Sequence, residues 1–406
     1  MSKSSNAKRN QGVAPKHGSR ANATEVVEAP TPEVGGVAEQ GLGFSKLTFR
    51  RRLAAWYREN ARILPWRGVR DPYATWLSEI MLQQTRVATV IDRYQEFLRR
   101  FPTINDLAVA DEEDVLALWS GLGYYRRARM LHRGAQFVDR EFGGKLPHSS
   151  AKLRTLPGVG EYTAAAIASI AFGESVAVLD GNVERVLLRV LGQAEQKGAR
   201  ARAQLAEAAQ TLMPAASRRS SGENAPGDHN QAMMELGATI CLPRAPLCLQ
   251  CPVVELCRTR GEHETGARAK MQSRTVAHLL ALRKRGVATE VLLERRAADA
   301  SLMAGLLELP ALRPGATQGR EPILRLRHAI TNTNYYVQVF SEGAAPKQAI
   351  REEEAGSPLM ESVLAEKSEF RWVTTTKLAQ QPLTGLARKI LQRLNLMAVP
   401  HVTIPL

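Results

Sequence analysis

The feature that most constrains the fold of this 406-residue chain is a cluster of four cysteines. All four fall within the 17-residue stretch CLPRAPLCLQCPVVELC, as Cys241, Cys248, Cys251 and Cys257. The intervals between them are six, two and five residues. Four thiols this close in sequence indicate one four-coordinate site. Zinc ribbons usually show two CxxC pairs and this stretch has one, so the spacing leaves zinc and an iron–sulfur cluster both open.

The composition indicates a polyanionic partner and excludes a membrane protein. Lys and Arg total 55 against 40 Asp and Glu, a formal net charge of +15, which favours nucleic acid. No run approaches the roughly 20 apolar residues that span a bilayer, and the N-terminus lacks the apolar core of a secretory signal. We therefore expect a cytoplasmic protein, nucleoid-associated if bacterial, with reduced cysteines and no membrane partner.

Composition and periodicity divide the chain into several parts. Residues 1–44 are expected to form a disordered basic tail, although a transit peptide or a DNA-tethering arm stays open for residues 1–24. Helical periodicity over 45–260 predicts an all-α domain of short helices. The polar stretch 261–274 is typical of a linker. Strand-like runs and a closing helix predict an α+β domain over 275–406.

The stretch LPGVG, at 156–160, predicts a tight turn between two helices. Gly158 and Gly160 allow such a turn and let another backbone approach closely. The helix that follows begins with unpaired N–H groups and the positive end of its dipole, which suits a phosphate. An ordinary helix connector is the alternative from this stretch alone.

Two carboxylates stand at unusual positions in the helical part. Asp180 follows an apolar run in VLDGNVERVL, where either it or Asn182 would cap the next helix. Glu79 lies among apolar neighbours in WLSEIMLQQTR. A helix-surface position is the ordinary fate of such a glutamate, but partial burial would raise its pKa and let it hold a proton near neutral pH.

These motifs, taken together, resemble the endonuclease III superfamily, whose members carry a helix-hairpin-helix and a Gly/Pro-rich loop with a catalytic aspartate. The six-two-five cysteine spacing is similar to the one that holds a [4Fe–4S] cluster there. Within the superfamily, the stretches LPWR, SEIMLQQT, GLGYYRRAR, LDGNV and NQAMMELGA resemble the MutY-type adenine DNA glycosylases, in the same order. That family removes adenine mispaired with 8-oxoguanine or guanine from double-stranded DNA during base excision repair.

The resemblance implies a role for each matching residue. Glu79 would be the general acid and water activator, and Asp180 would stabilise the oxocarbenium ion. Tyr162 and Asn182 would support the reacting sugar and base. The positions that would line the adenine pocket are Arg62, Leu64, Trp66, Arg67 and Gln231. Those that would contact DNA are Gln84, Thr85, Leu122, Tyr124, Gly158, Val159 and Gly160, with Gln84 and Tyr124 entering the duplex opposite the flipped base. The four cysteines would hold the cluster, and the protein would act as a monomer.

The C-terminal part resembles, more weakly, the Nudix-like domain that reads 8-oxoguanine in this family. The recognition loop corresponds to Ile330, Thr331 and Asn332, where the family often has Phe-Ser-His. Thr331 and Asn332 are therefore predicted DNA contacts that still offer hydrogen-bonding groups. No intact pyrophosphatase motif occurs, so nucleotide hydrolysis is not expected.

Two other classes stay open. A bifunctional endonuclease III-like pyrimidine glycosylase and lyase shares the hairpin, the aspartate and the cluster, but needs a lysine in the hairpin helix. Residues 161–173 contain no lysine, and Tyr162 stands where such relatives carry it. A zinc-dependent DNA-binding regulator without enzymatic activity is the other alternative.

Overall fold

The computed structural model describes residues 42–194, 198–216, 225–263, 270–300, 302–341, 359–360, 363 and 369–398. The predicted basic tail lies outside the described residues except for its last three positions. In these ranges no helix combines the length and the apolar character needed to cross a membrane.

The first part of the chain is helical, as its periodicity predicts, and we call residues 42–263 the helical region. Its α-helices are α1 (Lys46–Asn60), α2 (Pro72–Leu82), α3 (Val87–Arg100), α4 (Ile104–Ala108), α5 (Glu112–Leu118), α6 (Arg126–Phe142), α7 (Ser150–Leu153), α8 (Glu161–Phe172), α9 (Gly181–Leu191), α10 (Ala199–Leu212) and α11 (Ala225–Thr239). The cysteine stretch contains two short 3₁₀ turns, Cys248–Gln250 and Val254–Leu256.

The helix ends follow the local chemistry of the chain. Helices α8 and α9 end at Gly173 and Gly192, both in the left-handed conformation that glycine adopts without strain. Helix α2 begins at Asp71, whose side chain accepts a hydrogen bond from the N–H of Ala74, and ends before Gln83. The chain therefore breaks between α2 and α3 at residues 83–86.

Two hydrophobic cores meet in the helical region. One contains the apolar residues of α2, α3 and α6, and the other contains those of α9, α10 and α11. Helix α8 lies between them, because Ile167 packs in the first core and Ala166 in the second. All its residues from Thr163 to Ile170 are buried, as expected of a helix that is apolar all round. Groups at the start of α8 consequently lie where the two cores adjoin.

The last part of the chain carries β-sheets, and we call residues 270–398 the sheet region. Its strands are β1 (Gln272–Leu280), β2 (Leu282–Arg285), β3 (Ala288–Arg295), β4 (Leu307–Glu308), β5 (Leu324–Ile330), β6 (Thr333–Ser341) and β7 (Glu369–Thr374), and helix α12 (Gly385–Arg393) follows. Strand β6 lies between β1, to which it is parallel, and β5, to which it is antiparallel. Strand β3 pairs antiparallel with β2, β4 and β7.

Strands β2 and β3 form a hairpin around Gly286, which has a φ of 61°. Strand β1 begins at Gln272, inside the stretch expected to be a linker. Its parallel partner β6 lies some 60 residues further along the chain, and the sequence gives no sign of that pairing.

Candidate active site

Buried Glu79 and half-buried Tyr162 form a hydrogen-bonded pair between α2 and α8. The Glu79 side chain sits in the buried middle of α2 and is only 6% exposed. The Tyr162 hydroxyl donates a hydrogen bond of 2.6 Å to Glu79 Oε2 and lies 3.3 Å from the sulfur of Met234. The helix-surface alternative for Glu79 is therefore wrong, because the hairpin helix covers it.

The surroundings of Glu79 hold its carboxyl near half-protonation at neutral pH. Burial raises the pKa of Glu79 from 4.5 to about 7, against the opposing effect of the hydrogen bond from Tyr162. The negative charge of Asp180 contributes to this rise. A carboxyl group with this pKa is suited to donate and accept a proton in the same reaction cycle.

Asp180 is the N-cap of α9 and is held in a fixed orientation. Its Oδ1 accepts from the backbone N–H groups of Asn182, at 3.0 Å, and Val183, at 2.7 Å. Its Oδ2 accepts from the Asn182 side chain at 3.0 Å. The predicted capping is confirmed for Asp180. The side chain is partly exposed, so the same carboxylate that caps α9 also presents negative charge beside Glu79.

Arg185 connects this group to the start of the cysteine stretch. Its guanidinium donates 2.9 Å to Asn182 Oδ1, 2.6 Å to the carbonyl of Gly237 and 2.8 Å to the carbonyl of Cys241. The orientation of Asn182 therefore depends on where the cysteine stretch leaves α11.

The loop between α1 and α2 surrounds a carboxylate of α11. Glu235 is 1% exposed, and both of its oxygens accept from Arg62 at 2.7 Å. Arg67 also donates to Glu235 Oε2. Burial alone would raise the pKa of Glu235, but the two guanidinium groups outweigh it and hold the pKa at about 2. Glu235 thus stays ionised and fixes both arginines.

The other predicted pocket residues lie on the same elements. Leu64 and Trp66 are buried, and the Trp66 ring packs edge-on against Tyr94 with centroids 5.4 Å apart. Gln231 accepts a hydrogen bond of 3.1 Å from the Tyr57 hydroxyl. The Arg67 guanidinium lies 5.3 Å from the centroid of the Tyr57 ring.

The hairpin turn depends on its two glycines for different reasons. Gly158 has a φ of 76°, and a Cβ there would come 2.5 Å from Met130 Cβ. Gly160 is the N-cap of α8 with a φ of −85°, and a Cβ there would meet nothing within 4 Å. Val159 between them is buried. The start of α8 carries no side-chain cap, so its N–H groups are available to an anion.

Two loops bring strained residues to the surface. Gln84 and Tyr124 have φ values of 55° and 47°, and Tyr124 is 48% exposed. Thr85 donates a hydrogen bond of 3.2 Å to the carbonyl of Leu122, which joins the loops. Leu122 itself is buried. Arg127 donates to Thr85 at 3.0 Å and to the carbonyl of Leu122 at 3.0 Å, so one side chain is bonded to both loops.

The four cysteine side chains line one cavity between α9, α11 and the cysteine stretch. Nη1 of Arg189, a residue 3% exposed, donates 3.3 Å to the sulfur of Cys241. The backbone N–H of Arg260 donates 3.5 Å to the sulfur of Cys257. Among the described residues no three His, Cys, Asp or Glu side chains are grouped as a site for a single metal ion. The cavity is lined by four thiols, and the Arg189 guanidinium and the Arg260 backbone N–H donate to two of their sulfurs.

Thr331 and Asn332 form the two-residue turn between β5 and β6. Thr331 has a φ of 49°, and its hydroxyl donates 2.8 Å to the carbonyl of Ile330. The carbonyl of Asn332 accepts from the N–H of Gln272 at 2.8 Å. Both side chains are exposed.

Comparison with known protein families identifies the helical region. Residues 77–210 match the family model described as "HhH-GPD superfamily base excision DNA repair protein". This stretch contains Glu79, the hairpin and Asp180. Residues 77–210 therefore form an HhH-GPD domain. The resemblance seen in the sequence is confirmed by this match and by relatives of the same kind.

Curated proteins that match about half of this chain are named adenine DNA glycosylase. The human one is 50% identical over 222 residues, which cover 52% of this chain and 39% of that protein. One from Buchnera aphidicola is 38% identical over 214 residues, covering 52% of this chain and 58% of that protein. The chain thus spans about two fifths of its human relative. A solved structure entitled "Structure of a thermostable thymine-DNA glycosylase" is 30% identical, covers 53% of this chain and 96% of that one, and has a TM-score of 0.48.

Glu235, in the helical region, was not among the residues predicted for the site. The signal was present, because Glu235 stands in the apolar stretch AMMELGA just as Glu79 stands in LSEIMLQ. A glutamate in such a segment is buried only when it is paired or protonated. The two glutamates show both outcomes, since Arg62 and Arg67 pair with Glu235, whereas among the described residues the Tyr162 hydroxyl is the partner of Glu79.

Proposed function

We propose that the protein is an adenine DNA glycosylase that hydrolyses the N-glycosidic bond of adenine mispaired with 8-oxoguanine or guanine. The observation that carries the proposal is the buried Glu79, with its pKa of about 7 and its hydrogen bond from Tyr162, beside Asp180. The names of the relatives agree with this chemistry. The partner is double-stranded DNA, which the protein binds as a monomer.

The reaction follows from the charges of these groups. The adenine is first turned out of the duplex, because its glycosidic bond is not accessible in the stack. Protonated Glu79 gives its proton to the adenine as the bond between base and sugar breaks, and the bonding electrons leave with the base. The sugar becomes positively charged, and Asp180 stabilises that charge. Ionised Glu79 then takes a proton from the water that adds to the sugar, which restores the acid.

The surrounding residues would orient base and sugar. Asn182, fixed by Asp180 and Arg185, would support the reacting base and sugar. Arg62, Leu64, Trp66, Arg67 and Gln231 would line the pocket for the extruded adenine. Tyr162 cannot form a Schiff base with the sugar, whereas a lysine can, so the enzyme would remove the base without cutting the strand.

Phosphates and bases would be held by the loops around this site. The turn of Gly158, Val159 and Gly160 would lie against the phosphate backbone. The N–H groups of Gly158 and Gly160 would bind it, because the Val159 N–H already donates 3.1 Å to the carbonyl of Leu156, and Gly160 leaves room for its approach. Gln84 and Tyr124 would fill the place of the extruded base, supported by Thr85 and Leu122. In the sheet region, which we propose to be a Nudix-like domain, Thr331 and Asn332 would contact the opposite 8-oxoguanine.

A [4Fe–4S] cluster fits the cysteine cavity. Its four thiolates would come from Cys241, Cys248, Cys251 and Cys257, and the donors of Arg189 and Arg260 suit sulfur that carries negative charge. When bound, the iron would join the stretch by four metal–sulfur bonds. Purified protein should show a broad visible absorption band together with bound iron and sulfide. Colourless protein that holds one zinc ion would contradict this assignment.

Glu79→Gln tests the function. Glutamine keeps the size of the side chain and can accept from Tyr162, but it cannot supply the proton. With the variant in excess over an A·8-oxoguanine duplex, adenine release should fall to background while duplex affinity is retained. Release at the wild-type rate would disprove the role of Glu79. Glu141→Gln, at an exposed position paired with Arg140, is the surface control and should behave like wild type.

A further inference from the structure

The segment 119–125 between α5 and α6 combines an exposed tip with buried ends. Gly121, Gly123 and Tyr124 have φ values of 99°, 69° and 47°, and Tyr124 exposes about half of its surface. A residue other than glycine in this conformation is strained and stays so only when its neighbours hold it. The question is therefore what holds the chain on either side of Tyr124.

The sheet region holds the segment through buried hydrogen bonds. The Tyr125 hydroxyl donates 2.7 Å to the carbonyl of Leu383. Ser120 Oγ donates 3.2 Å to the same carbonyl and accepts 2.9 Å from Arg388 Nε. Ser120 is 0%, Tyr125 4% and Arg388 8% exposed, so water does not compete for these bonds.

The acceptor carbonyl belongs to a well-fixed part of the sheet region. The backbone of Leu307 in β4 bonds to Pro382 at 2.9 Å and to Thr384 at 2.9 Å, on either side of Leu383. Thr384 also caps α12, which carries Arg388. Next to Leu307, Leu306 is fully buried in the core of the helical region. The contact therefore joins two packed bodies and is not a bond to a loose loop.

A second set of bonds holds the segment from the helical side. Arg127 donates 3.0 Å to the carbonyl of Leu122 and 3.1 Å to that of Gly123, and its guanidinium lies 5.7 Å from the ring centroid of Tyr124. Tyr124 thus stands between two attachments, one made within the helical region and one made by the sheet region.

We propose that the sheet region positions Tyr124 for entry into the duplex, with Tyr125, Ser120 and Arg388 as positioning residues. This role is separate from contact with the opposite base, and it rests on the proposed function in which Tyr124 enters DNA. Because Tyr124 and Tyr125 are consecutive, the bond that fixes the Tyr125 side chain also fixes the backbone that carries Tyr124. Ordering this tip in advance removes an entropy loss that DNA binding would otherwise include.

Tyr125→Phe in the full chain tests the proposal, because it removes only the hydroxyl. The matched control is Tyr73→Phe, another buried tyrosine, whose hydroxyl donates 3.0 Å to the carbonyl of Phe101 within the helical region. Arg388→Met is a second variant that acts on the same contact from the other side.

The first readout is hydrogen–deuterium exchange of the protein without DNA. Amides of 121–124 should exchange roughly three to ten times faster in Tyr125→Phe and Arg388→Met than in wild type, the range expected for one lost hydrogen bond. Tyr73→Phe should leave them unchanged. Equal exchange rates of amides 121–124 in all the proteins would show that the sheet region does not order this segment, and would overturn the proposal.

The second readout is adenine release from an A·8-oxoguanine duplex with protein in excess. Release should slow roughly three- to tenfold in Tyr125→Phe, while affinity for a fully paired duplex is unchanged and Tyr73→Phe releases at the wild-type rate. Faster exchange with wild-type release would show that the contact is merely structural and overturn the positioning role. If wild type releases no adenine, the proposed function fails. The exchange experiment then decides by itself whether the sheet region orders residues 121–124.

Discussion

At the scale of single residues, the pKa of Glu79 sets the pH dependence that we expect for adenine release. With a pKa of about 7, the protonated form that donates to the base is lost as the pH rises through neutrality. Single-turnover release should therefore fall above about pH 7 and approach a tenfold loss per pH unit. A pH–rate profile checks this, and a rate that stays constant from about pH 6 to 9 would contradict it.

Asp180 combines two roles that substitutions can separate. Asparagine caps helices about as well as aspartate, so Asp180→Asn should change the free energy of unfolding by less than about 0.5 kcal/mol. It removes the negative charge, so adenine release should be nearly abolished. Asp180→Ala should lose the release and also about 1 kcal/mol of stability. Urea unfolding and single-turnover assays on both variants check this, and rapid release by Asp180→Asn would argue that Asp180 only caps α9.

At the scale of elements, the two glycines of the hairpin form a natural pair of tests. Gly158→Ala combines a strained φ with a clash against Met130, and should destabilise the protein by about 1–3 kcal/mol. Gly160→Ala has open space and an allowed φ, so stability should be kept while duplex affinity falls. Thermal unfolding and DNA-binding titration distinguish them, and unchanged affinity in Gly160→Ala would argue against a phosphate contact there.

The elements that the sequence predicts well are those whose ends have local chemical causes. Left-handed glycines end α8 and α9, and Asp180 caps α9, so those boundaries could be read directly. Strand β1 could not be predicted, because its parallel pairing with β6 depends on residues far along the chain. The same holds for the site, since the burial of Glu79 by Tyr162 and the pairing of Arg62 with Glu235 join residues 83 and 173 positions apart.

At the scale of the whole molecule, the buried Glu79 imposes a pH dependence on stability. Its pKa is raised in the folded state, so the folded protein binds this proton more tightly than the unfolded chain does. Stability from this group is therefore full below about pH 4.5 and is lost as the pH rises to about 7. The free energy of unfolding of Glu79→Gln should exceed that of wild type by about 1–3 kcal/mol at pH 8, with little difference at pH 5. Urea unfolding at both pH values checks this, and an equal difference at both would contradict it.

The helical region and the sheet region would both contact the proposed DNA substrate. The helical region holds Glu79 and Asp180, and the sheet region contacts the segment that carries Tyr124. An opposite base read by Thr331 and Asn332 would thus lie on the region that also supports the tip entering the duplex. Recognition of the opposite base and extrusion of adenine would be physically connected in this arrangement.

The most direct test of the central claim is single-turnover base release from three duplexes side by side, containing A·8-oxoguanine, A·G and thymine glycol. Our prediction is adenine release from the first two, none of the modified thymine from the third, and no borohydride-trapped adduct, because Tyr162 cannot form a Schiff base with the sugar. Release of thymine glycol with a trapped adduct, and no release of adenine, would contradict it.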